Sequence, residues 1–464
     1  MSVTTAGAAR PPPPAARTRL LLEGPIVSTL LRLSAPNLIV NVVLITVTTS
    51  VDAHFIGRLG PAALAGLALV FPLLMLMQQM ANATMGSALS SALARAIGAG
   101  RREDATALIT HGLIIAVVIA ALFSLLFLMA GPAIYAVIAG EGEILAAAVE
   151  YSNVIFAGAF AYWLLGALTS VVRATGQVAI LAWVYVAAEA LHIALVPLLM
   201  FGWGPVPSLG IAGAGIATVT AFTASSAFLF AYLAGGRTPV RLSLGVRLER
   251  RLFGEILSTG VPLSLQPILN NVSLALLTGY AGTLGAAALA GVGAAVRLEY
   301  LMYPVVFGLG ATLVAMVGTN VGAGQLARAV RITWTAAGIA VLATGSIGLA
   351  AIVWPQAWIS LFTDAPEVSS PAAAYLCIAA LGYAFIGMNT LTSAFQAMGQ
   401  TFWPLMGVVS RAAVLAIGGW LVVSVLGGGV IGLAIVTATG LAVGGTIVAV
   451  AFWLGMRRKL GGLQ

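Results

Sequence analysis

Only 7% of the 464 residues are charged, so an ionisable side chain inside a long apolar run stands out. Asp52 is the first. At 100° per residue, Asn37, Asn41, Thr48 and Asp52 fall within an arc of about 60°, a polar stripe on an otherwise apolar helix. Facing a protein interior, that carboxylate would bind a proton or a cation; the alternative is an interfacial place near the end of its run. Glu189 and His192 form a second constellation. They are three apart and share a helix face, with Tyr185 one turn earlier. A carboxylate beside an imidazole can relay a proton, since burial and neighbouring charge both shift where such groups titrate. The alternative is a neutral hydrogen-bonded pair that ties helices together.

Further along, Gln266, Asn270 and Ser273 share one face of a run, and Asn389 lies in another, all candidates to line a substrate cavity. Arg297 and Glu299 are only two apart, so they point to different faces and each needs its own partner. Met75, Met77, Met80, Met85, Trp163 and Trp183 would suit an adaptable apolar cavity, or simply pack or face lipid. His54, His111 and His192 stand in no zinc-like spacing, and one cysteine, Cys377, makes no disulfide, so no metal, cofactor or catalytic centre is expected. The lone lysine, Lys459, lies in the C-terminal tail, which excludes a phosphate-binding loop and an ATPase.

These residues need elements to hold them. With 61% hydrophobic residues and a mean hydropathy of +1.07, the chain belongs in lipid. About twelve windows reach the ~20 residues of a bilayer crossing: 33–56, 63–92, 106–131, 144–170, 178–201, 210–234, 256–281, 287–318, 332–354, 371–395, 402–426 and 429–455. The second and eighth are longer than a bilayer requires, so tilt or an extension is expected there. The arginines of the N-terminal tail through Arg32, then Arg95, Arg101, Arg102, Arg173, Arg237 to Arg251, Arg328, Arg331, Arg411 and Arg457 to Lys459 fall on one side of a twelve-span count. Glu141, Glu143, Asp364 and Glu367 fall on the other. By the positive-inside rule the basic side is cytoplasmic and holds both termini. The net charge of +8 is therefore a topology signal, and no nucleic-acid partner is expected.

The run Gly57-Arg58-Leu59-Gly60-Pro61-Ala62-Ala63-Leu64-Ala65-Gly66 recurs as Gly282-Thr283-Leu284-Gly285-Ala286-Ala287-Ala288-Leu289-Ala290-Gly291. Gly98-Ala99-Gly100 likewise matches Gly322-Ala323-Gly324, Arg173 to Gln177 matches Gln396 to Gln400, and Pro36 matches Pro262. Six spans is an even number, so the duplicated halves cross in the same direction, related by an axis along the membrane normal. The expected divisions are a disordered cytoplasmic tail at 1–25, one six-helix lobe at 26–235, a linker at 236–254, a second lobe at 255–456 and a tail at 457–464. Such a bundle places its substrate between the halves and works by rocking; a rigid bundle with tight glycine packing is the alternative.

Val51-Asp52-Ala53-His54-Phe55-Ile56-Gly57-Arg58-Leu59-Gly60, Leu64-Ala65-Gly66, Gly98-Ala99-Gly100, Arg173 to Gln177 and Leu209 to Thr218, in this order and repeated, resemble bacterial multidrug and toxic compound extrusion (MATE) transporters. The similarity runs from about residue 26 to 455. The resemblance implies an all-α membrane protein of twelve helices in two lobes, exporting cationic or amphipathic molecules in exchange for H+ or Na+, and it points to Asp52. It implies a monomer in the inner membrane whose partners are lipid, the ion and the cargo. Two departures stand out. Where relatives carry an asparagine and an aspartate before a proline on the fifth span, this chain has His192 and Val196 before Pro197. Where many carry a glutamate on the seventh span, it has Asn270. A major-facilitator transporter shares the six-plus-six plan but lacks support from its charged motif between the second and third spans. A flippase for lipid-linked sugars, from the same wider superfamily, is the nearer alternative.

Reporter fusions after Gln464 and within Arg241 to Arg251 should both read as cytoplasmic. A reading from the far side at either place would break the span count.

Overall fold

In lipid no water satisfies a bare backbone, so a chain this apolar folds as helices. A computed structural model describes residues 16–461 except 140, 206, 237, 239, 241, 244 and 364; the side chains of 16–17, 36–50, 83–84, 138–139, 178–179 and 460–461 lie outside what is described. Ten helical stretches are long and apolar enough to cross a membrane, and the pair Glu143–Ala157 and Ala159–Ala174, bent by 45°, makes an eleventh. Ile26–Gly57 is a further helix of spanning length. The spans are thus Ile26–Gly57, Pro61–Gly98, Arg102–Ala139, the bent pair, Val178–Phe201, Gly210–Ala234, Arg250–Thr283, Ala286–Gly322, Leu326–Val353, Pro366–Ala397, Phe402–Val425 and Gly429–Gly461.

The two overlong windows are broken rather than merely tilted. The second span carries a π-helical turn at Met80–Met85, and the eighth is interrupted between Tyr300 and Tyr303. The bend of the fourth span at Gly158 is matched in the tenth by a tight turn at Ala380–Gly382. Duplication also shows in packing. A Cβ on Gly66 would stand 2.8 Å from the Ala148 amide nitrogen, and one on Gly291 would stand 3.1 Å from that of Ala372. Both sites need glycine because one helix backbone rests on another.

The N-terminal expectation is corrected in part. Residues 1–15 lie outside the described region, but Ala16–Glu23 is a helix. Its Leu21 is 3% exposed, and the Leu21 carbonyl accepts a hydrogen bond from Asn320 Nδ2 at 2.9 Å. Asp364, expected among the acidic loops, lies outside the described residues.

The lobes are joined at the end that holds the termini. Ser34 donates to Thr312 Oγ1 at 3.0 Å, Arg95 Nη1 donates to the Ala397 carbonyl at 3.0 Å, and Arg95 Nη2 reaches Glu255 Oε1 at 3.4 Å. Ser91 Oγ donates to the Gln396 carbonyl. Gly98 and Gly322 complete the seam: a Cβ on Gly98 would overlap the Thr319 carbonyl, and one on Gly322 would overlap the Arg95 carbonyl. Among the described residues no hydrogen bond or ion pair joins the lobes at the opposite end. The structure is therefore shut on the terminal side.

Gly98→Ala or Gly322→Ala should open this seam, because a methyl group forced into packed backbone typically costs 1–3 kcal/mol. Inter-lobe distances from spin labels on the terminal side, in a Cys377→Ser background, should lengthen for a clear fraction of molecules. Gly57→Ala, where a Cβ meets nothing within 4 Å, should leave the distances unchanged.

Candidate functional site

The first and fifth spans pack together and bring both sequence constellations into one place. His192 Nε2 lies 3.2 Å from Asp52 Oδ1, and His192 Nδ1 lies 3.4 Å from Glu189 Oε1. The imidazole is held between two carboxylates. All three are buried, with Asp52 7%, Glu189 8% and His192 2% exposed, so Asp52 faces protein and not the interface. The Asp52–His192 contact is short but its angle does not complete a hydrogen bond. Burial of charge on this scale is costly unless it is balanced. Two acidic side chains thus share one imidazole.

Tyr151 and Tyr162 of the fourth span reach into electrostatic range of Asp52, and both are almost wholly buried. Spacing gave no hint of them, because they come from another span. Tyr185, grouped with the cluster by its position one turn before Glu189, is half-buried and within electrostatic range of Arg173 instead. Asn37 and Asn41 sit on the first-span helix, but their side chains lie outside the described residues.

The second lobe solves its charge problem differently. Arg411 Nη2 meets Glu299 Oε1 at 2.6 Å. Tyr303 OH donates to the same carboxylate oxygen at 3.2 Å, and Arg411 Nη1 reaches that hydroxyl at 3.2 Å. Here one cation meets one anion. Arg411 corrects the topology count: it lies nine residues inside the eleventh span, Phe402–Val425, rather than at a basic loop. The signal was an arginine within an apolar run. Arg297, expected mid-span, is exposed and stacks over Phe362 at 5.1 Å. Glu299 and Arg297 thus do have separate partners. Gln266, Asn270 and Asn389 are half-buried, Ser273 is buried and donates to the Leu269 carbonyl, and no described hydrogen bond joins the four. Of the apolar candidates, Met77, Met85 and Trp163 are core residues, whereas Trp183 is 75% exposed. Among the described residues no group of three or more His, Cys, Asp or Glu side chains could hold a metal ion.

A duplicated twelve-span bundle, shut at one end and holding ionisable groups within each lobe, is the architecture of a membrane transporter. The family model described as MatE matches residues 38–198 and again 262–422, so the chain belongs to the MATE family of multi-pass membrane transporters. It is 27% identical over 369 residues to a protein of Shewanella oneidensis named FAD transporter, covering 79% of this chain and 81% of that one. It is 24% identical over 358 residues to the probable multidrug resistance protein NorM of Thermotoga maritima, covering 76% of each. A solved structure of MATE in the bent conformation superposes with a TM-score of 0.86 at 23% identity, over 96% of this chain and 98% of that one. A transporter from Pyrococcus furiosus, described as having a binding pocket of reverse polarity, gives 0.83 at 23% identity over 97% and 99%. These structural likenesses bear on fold.

Arg411→Ala should strand Glu299 in the second lobe and cost about 3–5 kcal/mol of stability. Adding Glu299→Gln should recover most of that loss. Thermal unfolding of the purified protein and a double-mutant cycle would read both.

Proposed function

We propose that the chain is a multidrug exporter of the inner membrane. It acts as a monomer with both termini cytoplasmic, driving cationic or amphipathic molecules outward in exchange for entering H+ or Na+. The burial of two carboxyl groups around one imidazole, at Asp52, Glu189 and His192, carries this reading. Uptake of one proton lowers the charge of this buried cluster and so the cost of its burial, which couples proton binding to closure of the first lobe. In the second lobe Glu299 and Arg411 neutralise each other and call for no ion. The site also carries negative charge toward a cationic cargo. Shut on the cytoplasmic side, the structure corresponds to the state that releases cargo outward and takes up the ion.

A second reading, export of an acidic dinucleotide, is favoured by the Shewanella relative named FAD transporter. It needs several cationic contacts, and Arg411 is engaged by Glu299, which leaves the exposed Arg297 over Phe362. A lipid-linked sugar flippase, which would need several arginines for a diphosphate, meets the same objection.

Uptake of a cationic dye or of FAD into everted vesicles, under a pH gradient alone or a sodium gradient alone, separates these readings. Dye should move and FAD should not. Asp52→Asn should insert normally and lower gradient-driven efflux at least tenfold, with Glu189→Gln giving a similar or partial loss. Normal efflux from Asp52→Asn, with loss in Glu299→Gln, would move the coupling site to the second lobe.

A further inference from the structure

One face of the twelfth span, with Trp403 of the eleventh beside it, lines an open groove of about 740 Å3 that includes Thr446, Val450, Leu454 and Arg458. That volume lies within the ~300–1,000 Å3 of small-molecule sites. Among the helix pairs in firm contact, both pack only within the second lobe, and the groove's lining is all from that lobe. Its lining on the twelfth span runs from Ala442 to Arg458, about 24 Å at 1.5 Å per residue. One leaflet is about half of the ~30 Å hydrocarbon core, so the groove is long enough to span it.

Its two ends differ in chemistry. The upper wall is apolar and open, with Val450 47% and Leu454 43% exposed. The terminal-side end carries Arg457, Arg458 and Lys459 in succession, all exposed. Arg458 lines the groove itself, and none of the three has an ion-pair partner among the described residues. Arg457 is steadied by stacking 4.6 Å over the Trp453 ring. Trp403 and Trp453, 45% and 47% exposed, mark the level of the membrane surface. An acyl-length apolar groove with Arg458 at its headgroup end, and the exposed cations of Arg457 and Lys459 on the adjoining faces of the same turn, is complementary to one amphiphile of opposite charge.

We propose that this groove is a binding site for an anionic phospholipid of the terminal-side leaflet, one acyl chain lying along the twelfth span and the phosphate held by Arg458 with Arg457 and Lys459 beside it. The site is independent of the coupling cluster and of the cargo. Basic side chains at a membrane surface each favour anionic lipid by about fivefold, so a preference of at least tenfold over a zwitterionic lipid with the same chains follows.

Native mass spectrometry of the full-length protein, titrated with dioleoyl phosphatidylglycerol or dioleoyl phosphatidylcholine, tests it. The wild type should retain one phosphatidylglycerol with that preference. Replacing Arg457, Arg458 and Lys459 by alanine should reduce the preference below twofold, and Arg458→Gln alone should reduce it in part if the triple variant does not purify. Val450→Trp, which fills the groove, should weaken retention of both lipids. Equal retention of the two lipids by the wild type overturns the proposal, as does an undiminished preference in the charge variants. Full competition by glycerol 3-phosphate would mean a headgroup pocket without a role for the groove, and a dimer lost on Val450→Trp would mean a second copy covers this face; either result rejects the lipid assignment.

Discussion

Charge that is buried where water is scarce must be balanced, and the two lobes meet this constraint unequally. Glu299 finds Arg411 in its own lobe and is satisfied permanently. Asp52 and Glu189 instead flank one imidazole, that of His192, whose charge is not fixed as a guanidinium's is. The surrounding helices serve that difference: the first, fourth and fifth spans close around the cluster with buried tyrosines, and the eighth and eleventh bring a guanidinium to a carboxylate. A bundle with equal balance in both lobes would have no reason to respond to an ion.

Small residues set how the bundle is put together. Glycine at Gly66 and Gly291 lets one helix backbone rest on another inside each lobe, and glycine at Gly98 and Gly322 does the same between lobes. Such contacts need no large apolar partner, which suits association inside a medium already as apolar as the side chains. They are also unforgiving of size, so the terminal-side seam is either shut or clearly open.

Most of the architecture was legible in the sequence because its causes are local. Apolar run length fixed the spans, and the recurrence of Gly57 to Gly66 as Gly282 to Gly291 exposed the duplication. The π-helical turn at Met80–Met85 was not legible, since no proline lies in it, whereas the break after Tyr300 has its signal in Pro304 at the start of the next helix, which run length alone passes over. Of the site, the pairing of Glu189 with His192 followed from helical spacing, and Asp52 from its rarity. Their meeting is a tertiary fact: nothing in the order of residues sets the first span against the fifth. Arg411 was hidden for the opposite reason. Counting it with the basic loops satisfied a topology rule, while its position nine residues into a span pointed to a buried partner.

The seam between the lobes obeys a pairing rule of its own. Gly98 meets the Thr319 carbonyl while Gly322 meets the Arg95 carbonyl, and Ser34 meets Thr312 while Gly260 approaches Ala88. Gly98 corresponds to Gly322 in the repeat, and at the same offset Arg95 corresponds to Thr319, so each contact is the image of its mate, as in the isologous face of a homodimer. A half-length ancestor would have assembled with a second copy of itself through these same positions, and one substitution would have altered the contact twice. Fusion released the two copies from that bond. Ser34 and Thr312 keep a hydrogen bond that Gly260 and Ala88 cannot make, and the ionisable groups of the lobes diverged in the same freedom, so that two halves of one plan now differ in charge.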